Sequence, residues 1–145
     1  MSFDALQHVL IGQECERLIH RYAYLNDERD FDALIELFTD DAILYRPSAP
    51  ATPLVGREAI LASFRSRPAD LRTFHLCTDV IVDVEDREHA VARSRIVLLS
   101  GARSDLETGI ADVVSKPPAP GTFQDRLRLT AQGWKFSERR GSFWI

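Results

Sequence analysis

The chain has 145 residues and a formal net charge of −4, with 45% hydrophobic and 28% charged residues. This size predicts one domain over residues 1–145, and the composition is typical of a soluble globular protein. It gives no basic footprint for nucleic acid, and no apolar stretch is long enough to cross a membrane. The first residues lack the pattern of a secretory signal. The two cysteines, Cys15 and Cys77, form no CxxC or zinc spacing, which favours a reduced, cytoplasmic setting.

Three helices are predicted in the first half of the chain. Apolar residues recur at helical spacing over about residues 6–25. Asp30 is placed as the N-cap of a second helix, because an apolar periodic run follows it directly. Gly56 opens a third helix, Arg57 to Ser66, and Pro68 stops it.

Short extended segments are predicted between the helices, and long strands after them. Asp40 and Asp41 are interpreted as a turn, and Pro47, Pro50 and Pro53 as a loop. The predicted strands cover residues 43–45, 72–84, 90–100, 106–114, 122–130 and 134–145. In the first long strand, the alternation places Phe74, Leu76, Val80, Val82 and Val84 on one apolar face.

Helices followed by strands predict an α+β fold with a mostly antiparallel sheet, not a doubly wound parallel one. Long antiparallel strands twist and curl. A curled sheet closed on one side by helices makes a concave pocket, which is a common place for a small ligand.

Several segments together resemble the SnoaL-like branch of the NTF2-like, or cystatin-like, superfamily. They are LIHRYAYLNDERDFDALIELFTDDAILY, GREAILASF, RTFHLCTDVIV, FQDRLRL and GWKFSERRG. The likeness covers nearly the whole chain, and it implies a cone of about three helices packed on a curved sheet that encloses a pocket. The branch includes scytalone dehydratase, a dehydrochlorinase, a bile-acid dehydratase and the β subunits of ring-hydroxylating dioxygenases.

The resemblance implies an aspartate–histidine pair at Asp27 and His75. The histidine would be a general base, and the aspartate would fix its tautomer and stabilise the imidazolium. Arg139, in WKFSERR, would stabilise a leaving anion or an enolate. Tyr22 lies on the apolar stripe of the first helix, as a core residue or as a donor to a substrate oxygen.

The sequence also departs from the relatives. Scytalone dehydratase has a second histidine in the strand after the first, whereas here His89 stands at the turn and the strand body carries Arg93 and Arg95. This difference argues against scytalone as the substrate. The remaining histidines, His8 and His20, lack a set of partner ligands, so no metal site is predicted.

The leading hypothesis is a cofactor-independent lyase or dehydratase, with His75 as base and Asp27 as its orienting group, acting on a small, hydrophobic, cyclic compound. The alternatives are a non-enzymatic ligand-binding module and a structural, β-type subunit of a ring-hydroxylating dioxygenase. No nucleic-acid or membrane partner is expected. A homo-oligomer, dimer or trimer, is expected because relatives assemble and because no later element can cover Phe143 and Trp144.

Overall fold

The structure is a computed structural model that describes residues 4–103 and 113–144. Within these ranges there are three helices and one sheet. Two helices come before the first strand, and the third lies between the second and third strands. The helices are α1 (Ala5–Glu28), α2 (Phe31–Ile35) and α3 (Arg57–Arg65). The strands are β1 (Phe38–Arg46), β2 (Ala49–Val55), β3 (Leu71–Val84), β4 (His89–Arg103), β5 (Val113–Ser115), β6 (Ala119–Thr130) and β7 (Gly133–Phe143). Most of the predicted strand at 106–114 lies outside the described residues.

The sheet is curved, unclosed and mostly antiparallel, as the α+β prediction required. Its strands follow the order β2-β1-β7-β6-β4-β3, and the short β5 pairs with β4 beside this path. The β1–β7 pair is parallel, and the other described pairs are antiparallel. Helix α1 lies across β3 and β7 on the inner face of the sheet, and α3 lies against β1 and β2. The core fills the space between the helices and this face.

Helix α1 continues to Glu28, one turn further than the sequence pattern predicted. Asp4 caps its first turn by accepting a hydrogen bond from the backbone N–H of Gln7 at 2.7 Å. Its buried positions recur at three- and four-residue steps and form one stripe: Cys15, Leu18, Ile19, Tyr22, Ala23 and Asn26. The extra turn places Asp27 inside the helix, next to the buried stripe.

Of the three prolines predicted to form a loop, Pro47 lies in the turn between β1 and β2, but Pro50 and Pro53 do not lie in a loop. Pro50 and Pro53 belong to β2, which pairs with β1 at one edge of the sheet. An edge strand has one row of backbone groups that face no neighbour, so a missing N–H is tolerated there. Pro50 and Pro53 are therefore compatible with an edge strand.

The predicted turn at Asp40 and Asp41 is also wrong. Both residues lie within β1, at a break in its register with β7 between Phe38 and Ile43. The two carboxylates point outward, where Asp40 pairs with Arg57 and Asp41 pairs with Arg128. They are surface groups of an irregular strand. Asp30 caps α2 as predicted, accepting from the backbone N–H of Ala33.

Strand β3 does not keep one apolar face along its length. Asp79 has a positive φ of 51°, and the pairing with β4 shifts register between Thr78 and Ile81. Such a bulge inserts one residue, so the side chains beyond it exchange faces. Phe74 is therefore 59% exposed on the outer face, as is much of Leu76, whereas Val80 and Val82 pack against the core.

Among the described residues, no helix is both long enough and apolar enough to cross a lipid bilayer. Cys15 and Cys77 are free thiols, one buried in the core and the other partly buried. Burial raises the pKa of the Cys15 thiol to about 12 and also raises that of Cys77, so neither thiol is an activated nucleophile.

Candidate active site

Asp27 and His75 meet between the end of α1 and the start of β3. The imidazole Nδ1 lies 2.5 Å from Asp27 Oδ1. The other carboxylate oxygen accepts the backbone N–H of His75 at 2.7 Å, and Thr73 Oγ donates to Oδ1 at 2.8 Å. An ionised carboxylate only accepts hydrogen bonds, so this contact places the ring hydrogen on Nδ1. Nε2 is then left with its lone pair and makes no hydrogen bond to the described residues.

The bulge of β3 explains why His75 points inward. On the near side of the bulge, Thr73, His75 and Cys77 share the inner face, and Phe74 and Leu76 take the outer one. Without the irregularity at Asp79, the apolar Val80 and Val82 would face outward whenever His75 faced the helices. The bulge thus lets one strand place a histidine in the cavity and valines in the core.

The end of α1 is held in position by Arg29. This residue ends the helix in the left-handed conformation, with φ of 61°. Its guanidinium donates to the carbonyl oxygens of Leu71 at 3.1 Å and Arg67 at 3.3 Å. The last turn of α1 is thereby fixed to the segment that begins β3. Because the helix C-terminus disfavours a carboxylate, the hydrogen bonds from Thr73 and His75 compensate for the position of Asp27.

A cavity of about 240 Å³ lies beside the histidine. It is lined by His75 and Thr73 from β3, by α1 and α3 residues, and by the inner face of β4 and β6. Most of its wall is apolar, with contributions from Leu44, Phe64, Leu71, Ile96, Leu98 and Phe123. The His75 side chain is 8% exposed and that of Asp27 is 18% exposed. The pair is therefore shielded from bulk water and open to a small ligand.

Tyr22 belongs to both the core and the cavity wall. Its ring packs edge-on against four phenylalanines: Phe38, Phe64, Phe123 and Phe136. It also lines the cavity. Burial raises the pKa of the Tyr22 phenol above its usual value, although the Arg139 cation opposes that shift. The hydroxyl thus stays protonated and is available as a donor.

Arg139 is not among the residues that line the cavity. Its side chain is 1% exposed, and its guanidinium lies between the rings of Tyr22, Phe123 and Phe136, with 3.7 Å to the Phe123 centroid. It forms a buried ion pair with Asp125, in which Nε lies 3.0 Å from Oδ1. Nε–H is not directed at that oxygen, and the hydrogen bond runs from Nη2 to Oδ2 at 3.4 Å. Arg139 thus contacts Tyr22, another predicted site residue, but does not line the cavity beside His75.

Among the polar residues that line the cavity, Asn26, Arg46 and Arg67 had no role in the sequence-based prediction. Asn26 continues the buried stripe of α1, one turn beyond Tyr22, and accepts a hydrogen bond from Arg67 Nη1 at 2.6 Å. Arg46, at the end of β1, donates to Ser63 Oγ at 3.1 Å. The four-residue step from Tyr22 to Asn26 is visible in the sequence. Arg67 follows α3 in a segment without periodicity, so its inward direction had no sequence signal.

A second histidine–aspartate pair shows what distinguishes the first. His89 Nδ1 lies 3.0 Å from Asp86 Oδ1, but these side chains are 51% and 61% exposed at the β3–β4 turn. This pair lies in an exposed turn, whereas His75 lines a mostly apolar cavity. Within the described ranges, no group of three or more His, Cys, Asp or Glu side chains could hold a metal ion.

The fold and its cavity define the protein as an NTF2-like α+β cone. A model of the SnoaL-like domain matches residues 7–140, so the chain belongs to the SnoaL-like family. This confirms the resemblance drawn from the sequence motifs. Among curated proteins, none matches the chain in sequence.

Solved structures with the same fold include proteins from two bacterial sources. A candidate scytalone dehydratase from Novosphingobium aromaticivorans has a TM-score of 0.81 at 18% identity, covering 98% of this chain and 89% of that one. A candidate NTF2-like dehydratase from Streptomyces avermitilis has a TM-score of 0.77 at 18% identity, covering 92% and 96%. An NTF2-like protein with a cystatin-like fold, also from N. aromaticivorans, has a TM-score of 0.70 at 25% identity, covering 91% and 80%.

Proposed function

We propose that the protein is a cofactor-independent lyase of the dehydratase type, in which His75 removes a proton from carbon and Asp27 orients it. Family membership and the dehydratase-like structural relatives support a small-molecule-binding or lyase-type function in general. The observation that carries the finer proposal is the Asp27–His75 contact at the wall of an apolar cavity.

The reaction would proceed by elimination. Nε2 of His75 takes a proton from a carbon next to a carbonyl group, and the C–H electrons form a carbon–carbon double bond. The bond to a hydroxyl or halide on the neighbouring carbon breaks as this double bond forms, and its electron pair leaves with that group. A leaving halide departs as the anion, and the imidazolium then returns its proton to solvent. A leaving hydroxide recovers the proton from the imidazolium and departs as water. Asp27 keeps Nδ1–H in place and stabilises the cation while it exists. Tyr22, which lines the cavity, would donate a hydrogen bond to the substrate oxygen.

The size and lining of the cavity favour a small cyclic substrate. A volume of about 240 Å³ is below the roughly 300–1,000 Å³ of pockets for drug-sized ligands, so one ring with short substituents is the expected scale. The enclosure also excludes water, which strengthens the electrostatic contribution of Asp27. The apolar part of the wall contributes binding energy but does not orient a charged group of the substrate.

A panel of cyclic β-hydroxy and β-halo carbonyl compounds tests the proposal. The purified protein is incubated with each compound in D₂O, and mass spectrometry follows loss of water or halide and uptake of deuterium. Elimination or exchange by the wild type, absent in His75→Gln, is the expected result. Ligand binding without either reaction would favour the non-enzymatic binding module, and an iron-containing partner recovered with the chain would favour the dioxygenase subunit.

We also expect the chain to form a homo-oligomer through the outer face of the sheet. Phe143, which was expected with Trp144 to lie at a subunit interface, lines the cavity. On the outer face, Phe74 and Leu99 are cross-strand partners, and Leu76 and Trp144 line one shallow groove. All four are exposed, and burying them against a second copy would be favourable. Light scattering should give a dimer or trimer at micromolar concentration, whereas a monomer would contradict this expectation.

A further inference from the structure

The polar part of the cavity wall carries positive charge without compensating negative charge. Arg46, Arg67 and Lys116 line the cavity together with His75, and none of the described residues that line it is acidic. The Asp27 carboxylate, which contacts His75, already accepts hydrogen bonds from Thr73 and His75. Among the described residues that line this space, the charged side chains are thus all basic.

In lacking a carboxylate partner among the described residues, Arg46 and Arg67 differ from four other arginines of the chain. Arg57, Arg65, Arg128 and Arg139 each form an ion pair with a carboxylate. Within the described ranges, neither cavity arginine has a carboxylate within ion-pair distance, and their hydrogen-bond acceptors are neutral groups. Arg46 Nη1 donates to the Ser63 hydroxyl, and Arg67 Nη1 donates to the Asn26 amide oxygen.

Both guanidinium groups are also partly shielded from water and have N–H donors that are not used. Arg46 Nε is buried and has no hydrogen-bond acceptor. The Arg67 guanidinium lies 4.6 Å from the Phe64 ring centroid. Burial lowers its pKa and Arg29 and Arg46 act in the same direction, whereas Tyr22 and Asp27 oppose the shift only in part. An unpaired cation in such a place is costly, and an anion that accepts its hydrogen bonds removes that cost.

We propose that the substrate carries a carboxylate, bound by Arg46 and Arg67, while its apolar ring fills the wall beside His75. A planar guanidinium matches a carboxylate with two parallel hydrogen bonds, and an apolar wall around it strengthens the attraction. Lys116, exposed at the cavity, adds long-range attraction for the same charge. The inference rests on the proposed function in one respect, since it takes the cavity beside His75 as the substrate site.

The test compares binding of benzoate and benzamide, which have the same shape and differ in charge. Calorimetry with His75→Gln as well as the wild type measures binding without turnover. Benzoate should bind at least about tenfold more tightly than benzamide, and Arg46→Met should weaken benzoate by roughly 10- to 100-fold while leaving benzamide unchanged. Arg67→Met should act in the same way. Arg87→Met, in the exposed β3–β4 turn, is the matched control and should change neither affinity.

The outcomes separate this inference from the proposed function. Equal affinity of the wild type for the two probes, or benzoate binding that neither arginine variant weakens, would overturn the carboxylate assignment. The comparison of probes in the wild type stands even if an arginine variant does not fold. Charge-dependent benzoate binding without elimination of any panel compound would uphold the carboxylate site and refute the lyase.

Discussion

Replacing His75 with glutamine should abolish most of the elimination activity and leave the fold intact. Loss of a positioned general base typically reduces a rate by about 10²–10⁴-fold, or roughly 3–5 kcal/mol of barrier. Glutamine keeps a polar side chain of similar length beside Asp27, so the cavity is not emptied. Turnover of any active panel compound measures the effect, and thermal unfolding checks the fold. His89→Gln removes the exposed histidine of the other pair and should leave the rate unchanged.

Asp27→Asn should be nearly as severe, for a different reason. The amide nitrogen can face Nδ1 as a donor, which favours the ring tautomer with hydrogen on Nε2 and removes the base. It also cannot stabilise the imidazolium. The double variant should lose little more than the worse single variant, because the two groups act as a unit. Additive losses would show that the residues act separately and would contradict the pair mechanism.

Replacing Arg139 with methionine should cause the largest loss of stability. It would leave the Asp125 carboxylate buried without its cation, and breaking a buried pair in this way typically costs about 3–5 kcal/mol. Chemical denaturation measures the change in the free energy of unfolding. Replacing both partners, as in Arg139→Met with Asp125→Leu, should recover much of the loss. Arg126→Met, which breaks an exposed pair with Glu138 on the same sheet, should cost less than about 1 kcal/mol.

The loss should also depend on pH. Burial raises the pKa of Asp125 to about 6, although Arg139 acts in the opposite direction. A raised pKa means that the protonated carboxyl is favoured in the folded state, so its contribution to stability is present at low pH and decreases as pH rises through about 6. Without Arg139 the pKa rises further. The destabilisation by Arg139→Met should therefore be smaller at pH 5 than at pH 8, and an equal loss at both would contradict the buried pair.

The fold class could be predicted from the sequence because its signals are regular. The helical stripe of α1, the cap at Asp30 and the succession of long strands after the helices are local patterns that the structure bears out. The errors fall where local patterns are irregular. The Asp79 bulge reverses the faces of β3, and β2 pairs as an edge strand despite Pro50 and Pro53.

The site was predictable only in part. Asp27 and His75 were named through resemblance to family motifs, and their contact depends on Arg29, Thr73 and the β3 bulge, which no sequence periodicity indicates. Arg139 was assigned by its motif position to substrate, but its direction is set by Asp125 on the neighbouring strand β6. Such cross-strand partners become visible only when the register of the sheet is known.

The proposed mechanism requires that Asp27 hold His75 with Nδ1 protonated and Nε2 bare toward the cavity. Nitrogen-15 NMR of the histidine ring measures this directly and needs no substrate. The His75 signals are assigned by their loss in His75→Gln, and the spectra are recorded where the imidazole is neutral. We expect hydrogen on Nδ1 and a bare Nε2 in the wild type, with a shift toward Nε2–H in Asp27→Asn. An Nε2–H tautomer in the wild type, or a spectrum unchanged by Asp27→Asn, would contradict the account.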